Sequence, residues 1–293
     1  MSGSVIVNIF FPAITFAIML ITGTGADVRG FSAIRSKLMT VLICFSAQLV
    51  LLPLIAVSIA SVLGLSPLVA VGLVILSISP GGTLSNFYTY FGRENVELSV
   101  ALTAIGVFVY AVAFPFLIAV VSSVFEPISG NLNLPVMKMT QQILFFVAVP
   151  MAIGMWIRNR FVNAVELARH RLDILANLLV LALVGVSTWV GWPILKLSLP
   201  EIALASALFT TAALGVGALV TRGIDPRDRP AVTIECAVRN VPVAVIVMSN
   251  AFDDLTIVGF FVGYFLFHAP ILMGYSTMCR KTVCKHSKYP PHS

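Results

Sequence analysis

The sequence predicts an all-α polytopic membrane protein with nine transmembrane helices arranged as an inverted repeat. Three observations predict it. Hydrophobic residues make up 59% of the chain and charged residues only 10%, where a soluble domain carries about 25% charged. Apolar runs of about 20 residues, the length that crosses a bilayer, recur from end to end. Lys and Arg collect in the short connections between those runs. That is a topology signal rather than the footprint of a nucleic-acid binder, so the net charge of +6 carries no expectation of nucleic acid.

In order, the spans fall near 4–22, 38–63, 66–92, 97–124, 133–157, 172–194, 200–221, 229–252 and 255–278. The first has no Lys or Arg before it and reads as a retained span rather than a secretory leader. The third is interrupted by Ser79-Pro80-Gly81-Gly82-Thr83-Leu84-Ser85-Asn86, and the eighth by Glu235-Cys236-Ala237-Val238-Arg239-Asn240-Val241-Pro242. Loose backbone in hydrocarbon costs several kcal/mol per unpaired group, so such breaks survive where they line a cavity or bind something. Arg29, Arg35, Lys37, Arg93, Arg158, Arg160, Arg169, Arg171, Arg222, Arg227, Arg229 and the basic C-terminal residues fall on one side. Lys138 and Lys196 fall on the other. The N-terminus is therefore expected outside and the C-terminus in the cytoplasm, across a plasma membrane or a bacterial inner membrane. Residues 1–126 form a first repeat of four helices and 127–279 a second of five, in one transmembrane domain. A cytoplasmic tail follows over 280–293, irregular from Cys284. The break lies in the second-to-last span of each half, and the two broken spans run in opposite senses, as in inverted-repeat transporters.

The four cysteines, Cys44, Cys236, Cys279 and Cys284, have no CxxC or metal spacing. Glu235 is the one acidic residue expected inside a span. An intramembrane carboxylate is a functional-site hypothesis by default. Arg239 follows at i+4, the favourable order for a helical pair, so the two are expected to pair. Pro242 has no N–H, which would free the Val238 carbonyl beside Glu235; Pro80 would free that of Leu76. After the first break come Ser85 and Asn86, then Ser99 and Thr103 on one helical face. Hydroxyl and amide oxygens with one carboxylate suit a hard monovalent cation, where transition metals would want imidazole or thiolate. Gln48 stands four residues before Leu52-Pro53. His268, in the last span, reads as a hydrogen-bonded packing residue, with a proton-carrying role as the other reading.

At these residues the sequence resembles the bile acid:sodium symporter family. The likeness rests on Pro80-Gly81-Gly82-Thr83-Leu84-Ser85-Asn86 with Thr89-Tyr90, on Asn95 through Thr103, on Thr233-Ile234-Glu235 through Asn240, and on Gln48 before Leu52-Pro53. It implies a core domain with two broken, crossing helices and a panel domain that moves against it, in a nine-helix form. It also implies two Na+ sites. The first would comprise Ser85, Asn86, Ser99, Thr103 and Glu235. The second would comprise Gln48 and Glu235 with backbone at Cys236 and Val238. Arg239 departs from the family's Gln at that position. A guanidinium has only donors and would repel a cation a few Å away. It is therefore expected to replace the second sodium as a fixed cation, leaving one sodium at most. Ala269, where relatives often have Asn, is a further departure.

The expected function is sodium-coupled symport of an organic anion, bile-acid-like or a small carboxylate, by alternating access. The substrate would lie at the paired breaks near Asn86 and Asn240. Direct contact with its carboxylate is the other role open to Arg239. The alternative is a sodium-independent or proton-coupled carrier. A receptor would show a large soluble output domain and an intramembrane enzyme a dyad or a motif such as HExxH; neither pattern is in the sequence. Neither the substrate's identity nor the oligomeric state is encoded in a recognisable motif.

Overall fold

In the computed structural model, residues 9–26, 37–129, 135–251 and 257–286 are described. The start of the first expected span, Arg29, Arg35, residues 130–133 of the boundary between the halves, and Lys288 lie outside them. Among the described residues every regular element is a helix. Five helices among the described residues are long and apolar enough to cross a membrane: Leu38–Leu63, Val96–Val121, Val136–Arg160, Val162–Gly223 and Val258–Thr282. The chain is an integral membrane protein.

Helix α1 covers Phe11–Gly25, with Pro12 in its first turn, where a missing N–H costs nothing. Helix α2, Leu38–Leu63, contains one widened π-type turn at Ala47–Leu51, directly before Pro53. Proline cannot return a hydrogen bond and crowds the carbonyl one turn back. The wider turn absorbs both effects, and Gln48 lies in it. Helix α6, Val136–Arg160, repeats the device at Leu144–Ala148 before Pro150.

The third expected span is two half-helices, α3 (Pro67–Ser77) and α4 (Leu84–Gly92). The eighth is likewise α8 (Arg229–Ala237) and α9 (Val241–Ala251). Between them lie α5 (Val96–Ser129) and α7 (Val162–Val220); α10 (Val258–His286) closes the chain. At 59 residues, α7 is about 90 Å long, roughly three times a ~30 Å hydrocarbon core. Ser198, at φ −109° and ψ 17°, interrupts it two residues before Pro200. The boundary expected between 194 and 200 is thus a kink rather than a loop. At the other end, α10 runs through Cys284 to His286, into the segment expected to be irregular; polar residues can extend a helix as long as no proline intervenes.

The two breaks lie against each other. Gly81 and Arg239 form an antiparallel bridge, and the Asn240 N–H donates to the Pro80 carbonyl at 3.0 Å. Each break thereby satisfies backbone groups that its own helix cannot. The Leu76 carbonyl, expected to be free, accepts from the Ser79 N–H at 3.1 Å and from its Oγ at 2.7 Å. The chain leaves the helix before proline can orphan it. Val238 is extended (φ −82°, ψ 126°), and the nitrogen four residues on belongs to Pro242.

Around this centre α4, α5 and α8 pack together, while α7 runs along α10 and against α8. On the other side α1 packs on α6 and α7. Gly23 and Gly154 permit the α1–α6 approach: a Cβ on either would overlap the facing backbone, at the carbonyls of Met151 and Leu20 respectively. At one edge Asp228, 2% exposed, accepts from Lys37 Nζ at 2.7 and 2.6 Å and from Asn95 Nδ2 at 2.9 Å. This joins the starts of α2, α5 and α8.

Candidate ion and substrate site

Helix α8 delivers Glu235 to the crossing point, where it is fully buried. Its two carboxylate oxygens accept from Thr103 Oγ1, each at 3.1 Å. Thr103 lies 3.2 Å from Ser85 Oγ, and Ser99 Oγ lies 3.4 Å from Ser85 Oγ. Ser99 also donates to Asn86 Oδ1 at 2.9 Å. The five residues expected at the first ion site therefore form one connected cluster from α4, α5 and α8. Thr89 joins it through a 3.3 Å bond to Ser99; no spacing rule in the sequence singles it out. Gly81 has to lack a side chain, because a Cβ there would overlap Glu235 Oε1. Among the described residues no Lys, Arg or His side chain lies within 4 Å of the Glu235 carboxylate. A buried carboxylate served only by hydroxyls has strong reason to take a cation. Hard oxygens with one formal charge suit a monovalent ion.

The expected Glu235–Arg239 ion pair is absent. An i,i+4 pair needs a continuous helix, and α8 ends at Ala237, so Arg239 leaves along the break. Its guanidinium turns to backbone: Nη1 donates to the Ser79 carbonyl at 3.1 Å, and Nη2 to the carbonyls of Glu235 at 3.1 Å and Cys236 at 2.9 Å. Nη1 also reaches Tyr110 Oη at 3.2 Å. Tyr110, which the sequence does not single out, sits on α5. The fixed cation thus stands at the carbonyl-rich ends of both α3 and α8, where the helix dipoles favour positive charge.

Of the residues expected at the second ion site, Cys236 gives its carbonyl to Arg239. Gln48 Nε2 donates to Cys44 Sγ at 3.0 Å, and Cys44 Sγ lies 3.9 Å from Cys236 Sγ. Gln48 Oε1 is buried without a partner. His268 stacks on Tyr264, with ring centroids 4.8 Å apart, and meets Tyr88 edge-on.

A cavity of about 410 Å³ lies beside the first break, between α4 and α5 on one side and α1, α6 and α7 on the other. Of the three residues expected to touch substrate, Asn86 lines it. Arg239 and Asn240 line a separate gap of about 20 Å³, room for about one water. Asn240 instead caps α9, its Oδ1 accepting the Val243 N–H at 3.2 Å.

An all-helical membrane protein with two hydrogen-bonded helix breaks around a buried oxygen cluster is the class that fold and site define. The Sodium Bile acid symporter family matches residues 12–196, and the chain belongs to that family. The family takes its name from symport of bile acid and sodium. A probable chloroplastic sodium/metabolite cotransporter of Arabidopsis thaliana is 28% identical over 243 residues, covering 82% of this chain and 58% of the relative. An uncharacterized sodium-dependent transporter of Bacillus subtilis is 29% identical over 180 residues, 61% of this chain and 53% of that one. The human ileal sodium/bile acid cotransporter is 20% identical over 99% of this chain and 85% of its own. The chain spans little more than half the length of the first two relatives.

Proposed function

We propose that this chain is a secondary transporter that moves an organic anion together with one sodium ion by alternating access. The observation that carries the reading is the buried Glu235 carboxylate, bonded to Thr103 and through it to the cluster of Ser85, Ser99 and Asn86, with no cationic group within 4 Å of it among the described residues. The relatives, two named as sodium cotransporters and one as a sodium-dependent transporter, support sodium as the ion. Arg239 takes the place of a second ion, since its N–H groups occupy carbonyls that would otherwise face one. The substrate, bile-acid-like or a small carboxylate, occupies the cavity beside Asn86.

Nine crossings follow if α2, α5, α6 and α10 cross once each, α7 crosses twice about Ser198, and α1, α3–α4 and α8–α9 supply three more. The repeats divide as 1–126 and 127–279. The packing of α1 on α6 and α7 supports a panel made of α1, α6 and the first half of α7, rocking against a core of the remaining helices. The N-terminus faces out and the C-terminus the cytoplasm.

The test is thermal stability of the purified chain in sodium against potassium at equal ionic strength. Sodium should raise the midpoint by mass action, and Glu235→Gln should abolish the difference. A wild-type midpoint indifferent to the cation overturns the reading. Because Arg239 already supplies a cation, a proton carried on Glu235 is the second reading, and vesicle uptake driven by a proton gradient in potassium alone would select it.

A further inference from the structure

Among the described residues, the only charged side chains in the 410 Å³ cavity wall are Arg169 and Asp173, one turn apart on α7. Thr83, Asn86 and Tyr90 line its α4 side. Asp173 takes one edge of the guanidinium, its Oδ2 accepting from Nε at 3.1 Å and its Oδ1 from Nη2. The end-on edge is left over, and its Nη1 is buried with no acceptor. The guanidinium rests on the last residue of α1, Gly25, where a Cβ would stand 2.7 Å from Nη1.

The two side chains keep 38% and 48% of their surface, and an exposed i,i+4 pair contributes little to stability by itself. This one lines a cavity, and the Arg169 Nη1, covered by Gly25, has no acceptor, which is unusual for a buried group. We propose that Arg169 is the anion-recognition residue of the transporter. It binds the single carboxylate of an amphipathic monoanion through the part of its guanidinium open to the cavity, while Asp173 holds the guanidinium against α7 and offsets its charge. Guanidinium and carboxylate match in planar, bidentate geometry. The wall beyond is mainly apolar, with Thr22 and Asn177 as neutral polar points. It suits a hydrocarbon body with few hydroxyls. Since Asp173 already offsets Arg169, the site holds no second cation for a dianion.

The assignment rests on the transport reading above, and the test separates the two. The full chain is titrated with benzoate, benzamide and phthalate in sodium, and with sodium alone, by thermal shift. Benzoate should stabilise the protein, with benzamide and phthalate much weaker. Arg169→Gln should weaken benzoate by about tenfold or more, the loss expected for a hydrogen bond to a charged group. Asp173→Asn should strengthen it several-fold, a gain that misfolding cannot imitate. Benzoate binding that survives Arg169→Gln, or that weakens in Asp173→Asn, overturns the assignment. Sodium stabilisation without any benzoate effect overturns it too and leaves the ion site standing. If neither sodium nor benzoate stabilises the wild type, the transport reading itself fails.

Discussion

Arg239 is the largest fully buried side chain among the described residues, and its partners decide what it does. Arg239→Met would leave the carbonyls of Ser79, Glu235 and Cys236 without their donor. At about 1–3 kcal/mol per buried unsatisfied group, the thermal midpoint should fall clearly even in saturating sodium. Arg239→Gln offers an amide oxygen in place of the guanidinium. If the guanidinium stands in for an ion, sodium activation of uptake should change from a Hill coefficient of about one to about two. Wild-type cooperativity of about two would show that a second ion binds beside Arg239. The resemblance to the family marks Arg239 as a departure, because a donor-only side chain stands where relatives carry a side-chain oxygen. The sequence spacing misassigned its partner. The i,i+4 rule assumes a helix that continues, and here the helix ends two residues before the arginine.

At the scale of elements, the half-helices are held by a few local devices. Asn240 caps α9, so Asn240→Ala should cost about 1 kcal/mol while Asn240→Ser keeps most of it; thermal unfolding of both variants checks this. Gly81→Ala would push a methyl onto Glu235 Oε1. Sodium stabilisation should be lost in this variant although every proposed ion ligand is retained, as an isothermal sodium titration would read. These breaks were legible because proline and glycine act within a few residues of themselves. The π-type turns before Pro53 and Pro150, and the kink at Ser198, were not. A proline says that a helix must adjust, yet neighbouring packing selects whether it widens, bends or stops. The cluster of Ser85, Asn86, Ser99, Thr103 and Glu235 was legible in composition, and the bond from Thr103 to Glu235, 132 residues apart, joins it.

For the whole molecule, the proposed transport of one sodium with one monoanion would carry no net charge across the bilayer, because Arg239 is part of the protein. Uptake into proteoliposomes should therefore be insensitive to an imposed potassium diffusion potential. A rate that rises with inside-negative potential would mean that more sodium moves than anion. A bilayer potential acts at about 2.3 kcal/mol per charge per 100 mV, enough to make the two outcomes distinct. The sequence by itself determined the class of protein, the places where two spans break, and the oxygen-bearing residues beside them. These follow from hydropathy and from the local chemistry of proline and glycine, which need no distant partner. Only the tertiary structure decided that the breaks bond to each other, that Arg239 faces backbone carbonyls rather than the Glu235 carboxylate, and that Arg169 belongs to a cavity wall. Those outcomes depend on which helices pack side by side, and segments more than a hundred residues apart carry no local mark of their eventual neighbours.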